Sequence, residues 1–175
     1  SGAASTSIER SGGGGRSALL EVIWIMAATT LGYGVLGFVT GWPEGPAIVQ
    51  YIADQVPAKN LAPANGTMAR YKLQEWLTFI GTELHKNFGP LFTPGTTDEV
   101  KAATKDRIAG RLKWVEGELA GKQHLMGDTY TVADGYLFTV TNWAGHVGLD
   151  LSPYANLQAY RARVGARPAV IAAMK

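Results

Sequence analysis

A histidine at the foot of a polar helical stripe is the first residue of this sequence that could do chemistry. Gln74, Thr78, Thr82 and His85 fall at i, i+4, i+8 and i+11, one above another on a single helix face. A narrow polar stripe of small and medium side chains suits a cleft or a partner. Taken alone, His85 reads as a helix-surface or subunit-contact residue, because a lone imidazole seldom catalyses. A second candidate is Asp134, in Thr131-Val132-Ala133-Asp134. A buried acid can move protons. Here, however, the Thr and Asp lie three apart before an apolar run, which is the spacing of a capping box, so Thr131 and Asp134 are expected to serve structure. A third is Gly32-Tyr33-Gly34-Val35-Leu36-Gly37, a GxGxxG. A dinucleotide cradle needs that motif between a strand and a helix, with an acid farther on. Gly37, Gly41 and Pro43 make a poor helix opening, and Asp54 belongs to another element, so no cofactor is expected there. With no Cys, thiolate metal sites and a cysteine nucleophile are excluded. His85, His124 and His146 lack ligand spacing, so no metal is expected.

These residues need elements to position them. The stripe lies on a helix expected over 65–92, with Asn65 as N-cap and Pro90 as its stop. Its other face carries Leu73, Leu77, Ile80 and Leu84 in register, widened by Trp76 and Phe79, so it packs against more than one neighbour. Pro43-Glu44-Gly45-Pro46 opens a shorter helix with Ala47, Ile48, Tyr51 and Ile52 inward, ended by Pro57. Thr96 and Glu99 are spaced as a capping box for a helix to about Ala120. Val100, Ala103, Ile108, Leu112, Val115 and Leu119 point inward on it. Thr131 starts a helix to about His146, with Tyr136, Leu137, Val140 and Trp143 apolar. Two more helices follow, over 154–165 and 168–174. From residue 43 on, the reading is all-α, about six helices with short links and no strand.

Composition agrees with a packed domain. The chain has 175 residues, 46 % hydrophobic and 17 % charged, enough for one domain or one domain plus an appendage. The formal net charge of +2 is too balanced to argue for nucleic acid or an anionic membrane. Lys101, Lys105, Arg107, Arg111 and Lys113 are mixed with acids and form a solvated helix face. Residues 1–16 are small, polar and Gly-rich, as in disordered segments. Residues 22–43 carry no charge, and about 20 such residues could span a bilayer. Their glycines and Thr29-Thr30 interrupt the run, which argues against a membrane segment.

Residues 44–54, 61–65, 76–92, 127–143 and 149–168 together resemble the bacterial beta-class glutathione S-transferases. The resemblance rests on Glu-Gly-Pro-Ala-Ile-Val-Gln-Tyr, then WL-x-F-I-x-TELHK-x-F-x-PLF, the TVAD-x-YLF box and a late ARP turn, in that order. It implies a thioredoxin-like domain joined to an all-α C-terminal domain. It implies a cytoplasmic homodimer that adds the glutathione thiol to small hydrophobic electrophiles. By the same resemblance, Glu44 and Gly45 match the pair that holds the γ-glutamyl end of glutathione. His85 and Lys86 match the pair beside the thiol and the electrophile pocket, and Trp143 matches a cleft tryptophan. On burial grounds alone, Trp76 and Trp143 read as core.

Two departures temper these expectations. Thr78 stands where the family has an Asn that reaches the partner subunit's glutathione. Residues 1–42 resemble nothing in the family: its first strand, its active-site Cys loop and its cis-proline segment have no counterpart. The expected division is therefore a non-family segment over 1–42, the last helix of a thioredoxin-like domain over 43–57, and the transferase helical domain over 58–175. A shifted reading frame or a truncated clone would produce such a text. Two functions follow: glutathione transfer, impaired by the missing domain, or a non-catalytic helical interaction module or remnant.

Overall fold

The computed structural model describes residues 44–174. The expectations for residues 1–43, including the apolar run and the GxGxxG, lie outside the described residues.

Helix α1 (Gly45–Gln55) begins with Pro46 in its first turn, where a missing N–H costs nothing. It buries Ile48, Val49, Ile52 and Ala53. A 3-10 turn at Pro57–Lys59 leads to Asn60, which takes the left-handed conformation that Asn tolerates. Helix α2 (Met68–Phe79), a π-helical stretch (Ile80–His85) and α3 (Lys86–Phe92) then form one continuous rod. Leu73, Leu77, Ile80 and Leu84 are all fully buried along it, as their spacing requires.

The ends of this rod differ from expectation in two ways. Its N-cap is Thr67, whose hydroxyl accepts from the Arg70 N–H at 3.2 Å, while Asn65 donates its amide to Asp54. Asn65 precedes Gly66 (φ 79°), whose turn delays the helix. Nor does Pro90 stop the rod: it sits within α3, which runs on to Phe92.

Helix α4 (Asp98–Glu118) is capped one residue later than the box spacing indicates. Thr97 accepts from Val100 N–H, and Thr96 turns back to the Thr93 carbonyl. Its buried face is Thr104, Ile108, Leu112 and Val115, whereas Val100 and Ala103, expected inward, are exposed. A link with a small two-residue bridge, His124 to Gly127, leads to α5 (Val132–Val147). Thr131 and Asp134 form the capping box there.

Helix α5 is buried on every side from Val132 to Thr141 and lies against α1, α2, the π-helical stretch, α3 and α6. Helix α6 (Ala155–Gly165) has its first N–H groups satisfied by Glu116 of α4, whose two carboxylate oxygens accept from Asn156 and Leu157, each at 2.9 Å. Helix α7 (Pro168–Ala173) closes the bundle with Val170. The described residues contain no named strand, and no helix among them is long and apolar enough to cross a membrane.

Candidate active site

The residues that could do chemistry gather where α1, the π-helical stretch and α5 meet. Two clefts open there, and His85 and Lys86 line both. The first, of about 840 Å3, is polar along one wall: Glu44 and Gly45 from the start of α1, with Gln50, Thr78, Thr82 and the Tyr136 hydroxyl end around it. The second, of about 680 Å3, is aromatic: Phe88, Phe92 and Trp143, with His146 at its side.

His85 is wedged between aromatic rings. Its imidazole meets Trp143 edge-on at 4.8 Å between centroids and Tyr136 edge-on at 5.8 Å. Its Nδ1 shares a 2.7 Å hydrogen bond with the Tyr136 hydroxyl. Burial pushes the imidazole below the ordinary histidine pKa, and the charge of Glu44 pulls it back only in part. The ring is therefore neutral at neutral pH. It can donate or accept a hydrogen bond, but it does not supply a fixed positive charge. Lys86, exposed at the rim of both clefts, supplies that charge.

The polar wall is held by a clamp between α1 and α2. The buried Arg70 guanidinium grips Asp54 in a two-pronged pair, both bonds 2.8 Å, and also donates to the Pro63 carbonyl and to Gln50. Gln50 accepts from Gln74 as well and donates to the Pro46 carbonyl. These bonds fix the angle at which α1 presents Glu44. The N-cap of α1 is Glu44 itself, whose side chain makes no capping bond, so the first N–H groups of α1 are left without a side-chain cap beside that carboxylate.

Of the residues singled out from sequence, Glu44, Gly45, Thr78, His85 and Lys86 all line the first cleft. Thr78 spends its hydroxyl hydrogen on the Gln74 carbonyl, at 2.8 Å. Trp143 is not core, as burial arguments had it: it is half-buried and forms a wall of the second cleft, packed on His85, Phe88 and Phe92. Trp76 is core, in contact with Phe79 and Trp114. Asp134 lies outside both clefts. It accepts from Leu125 N–H, Thr131 N–H and the Thr131 hydroxyl at 2.7 to 3.0 Å. Burial pushes its carboxyl pKa up, against the pull of those bonds. Sequence reasoning missed Tyr136, Phe92 and His146 as cleft residues. The available signal was Tyr136 itself: a buried phenol must find a hydrogen-bond partner. No group of residues that could hold a metal occurs among the described residues.

Comparison with known proteins bears on the whole bundle. The family model described as glutathione S-transferase, C-terminal domain, matches residues 79–168. Glutathione S-transferase GstA of Escherichia coli O157:H7 is 42 % identical over 127 residues, covering 73 % of this chain and 63 % of that protein. This chain thus spans under two thirds of that relative's length. The structure of BphK, a bacterial transferase in a ternary complex, superposes with a TM-score of 0.77 at 40 % identity. That match covers 90 % of this chain and 94 % of that one. The beta-class enzyme of Sphingomonas chungbukensis gives 0.74 at 37 % identity, covering 90 % and 93 %.

Proposed function

The chain belongs to the glutathione S-transferase family, and from that membership we propose that it binds glutathione in the polar cleft and transfers its thiol to small hydrophobic electrophiles. The observation that carries this reading is the position of His85 and Lys86, shared by a polar cleft and an aromatic one. The glutathione ammonium pairs with the Glu44 carboxylate, and a glutathione carboxylate takes the positive end of α1 at Gly45. The thiol then lies toward His85 and Lys86. The Lys86 ammonium and a hydrogen bond from neutral His85 favour the thiolate, the thiol proton leaving to solvent. The sulfur attacks the electrophilic carbon held among Phe88, Phe92 and Trp143. A carbon–sulfur bond forms and the leaving group departs with its bonding electrons. Thr78 contributes bulk to the cleft wall rather than a donor, because its hydroxyl is already engaged.

Cytoplasmic location and a homodimer belong to the same reading. The exposed Met68, Tyr71 and Trp114 on α2 and α4 support self-association, since large apolar side chains in water favour a partner. The alternative is a helical module without catalysis. Titration calorimetry with glutathione, followed by turnover of a chromogenic electrophile, separates the two. Binding with turnover supports transfer, and neither supports the module.

A further inference from the structure

We propose that Tyr136 is a positioning residue of this site: its hydroxyl donates to His85 Nδ1, holds the imidazole as its Nε2–H tautomer, and so makes Nε2 the nitrogen that faces the reacting thiol. The last clause rests on the transferase reading above; the tautomer assignment stands without it.

The geometry is tight on every side. Tyr136 is 2 % exposed in the second turn of α5, within the stretch of that helix buried on every side, so its hydroxyl has little freedom to swing away. The 2.7 Å separation from Nδ1 is that of a well-formed hydrogen bond with a hydroxyl donor. On its other side the imidazole meets Trp143 at 73°. Ring and hydroxyl therefore hold each other in one orientation. A phenol is a strong donor and a weak acceptor, while a neutral imidazole nitrogen is a strong acceptor, so the bond runs from O–H to Nδ1. A neutral imidazole carries one proton, and the other nitrogen must then hold it. Any proton that His85 donates or exchanges passes through Nε2.

The hydroxyl also sits at a junction. A methyl group built on Gly81 would lie 3.6 Å from Tyr136 Oη and 3.8 Å from the Pro46 ring. Helix α1, the π-helical stretch and α5 thus converge within one side chain's reach of this hydroxyl. A small displacement of any of the three would be felt at His85.

The test uses the full chain labelled with 15N. Long-range proton–nitrogen spectra report which imidazole nitrogen carries hydrogen, and H85N assigns the His85 signals. The expected result is a bare, hydrogen-bonded Nδ1 and a protonated Nε2 at neutral pH. Y136F, which keeps the ring and removes only the hydroxyl, should move both nitrogen shifts toward a tautomer mixture. With glutathione and a chromogenic electrophile, Y136F should lower kcat by about three- to tenfold, the worth of one ordinary hydrogen bond, with the glutathione KM changed by less than about twofold. An Nδ1–H tautomer in the unmodified chain overturns the proposal whether or not Y136F folds, and so does a Y136F spectrum identical to the parent's. An unchanged kcat overturns the part concerning the thiol. Absence of turnover in the unmodified chain refutes the transferase reading instead, and the spectra still decide the tautomer.

Discussion

Removing the Asp134 carboxyl should be among the most damaging single changes available in this bundle. In Asp134→Ala, the Leu125 and Thr131 N–H groups lose their acceptor in a region where Leu125 is 3 % and Thr131 1 % exposed, so water cannot replace it. An orphaned buried N–H costs about 1–3 kcal/mol, and two are created; the Thr131 hydroxyl also loses this acceptor but can rotate to another. Relief of the cost of burying a carboxyl offsets part of this, leaving a loss of about 3 kcal/mol. For a domain with a total stability of about 5–15 kcal/mol, that is a large fraction. Asp134→Asn keeps an oxygen for Leu125 but turns an amide N–H2 toward Thr131, so it creates one orphan and should cost about half as much. Urea unfolding followed by circular dichroism reads both. The order parent, Asn, Ala in midpoint, at a constant slope against denaturant, is expected. A loss below about 1 kcal/mol for Asp134→Ala, or Asn as harmful as Ala, would refute the orphaned-donor argument.

Four further outcomes follow from the same geometry. Glu44→Gln should weaken glutathione binding by about tenfold or more in calorimetry, since a charge-assisted bond becomes a neutral one; an unchanged Kd would remove Glu44 from the site. Trp143→Ala should raise the KM for aromatic electrophiles and leave the glutathione KM nearly unchanged, as initial rates against each substrate will tell. Arg70→Met should destabilise the chain by about 2–3 kcal/mol in urea melts, less than for a fully buried pair because Asp54 is 36 % exposed at its side chain. On pH, burial lowers the pKa of both His85 and His124 from the ordinary 6.5. The unfolded chain then binds protons that the folded one does not. Stability should hold above about 6.5 and fall as the pH drops toward the folded-state values, so thermal melts at pH 7.5 and 5.5 should differ with the acid sample lower. The raised carboxyl pKa of Asp134 favours the folded chain in acid and opposes this trend, so parent and His85→Asn are compared, and an identical pH dependence in the two would contradict the burial of the His85 imidazole.

Much of the helical text was legible because period and burial agree. Leu73, Leu77, Ile80 and Leu84 announced their face by spacing alone, and Thr131 with Asp134 announced a helix start. Thr96 and Thr97 were harder, since either could cap and only the chain's path after Gly95 chooses between them. Helix α5 hid its importance. Thr139 and Thr141 are polar in type, yet both are buried with their hydroxyls satisfied by carbonyls one turn back, so the helix is enclosed all round. The Arg70–Asp54 clamp could not be read at all, because the two residues lie on different helices and no local pattern links them. The polar stripe pointed to a cleft, and Thr78, Thr82 and His85 line one, but what the clefts would hold was legible only through family resemblance. The periodic stripe gave His85 a face but no role, and its phenol partner is 51 positions away.

The π-helical stretch Ile80–His85 sits between the two halves of the long rod. Such a stretch amounts to one surplus residue let into an α-helix, and it turns all that follows by about 100° relative to what precedes. The leucines upstream and the phenylalanines downstream are therefore phased independently, and one rod can serve two differently aimed surfaces. Excising a single residue there would restore a regular spiral at the expense of swinging the imidazole and its lysine neighbour out of alignment with both hollows. Natural variation in length should accordingly be confined to the loops and spare this short interval.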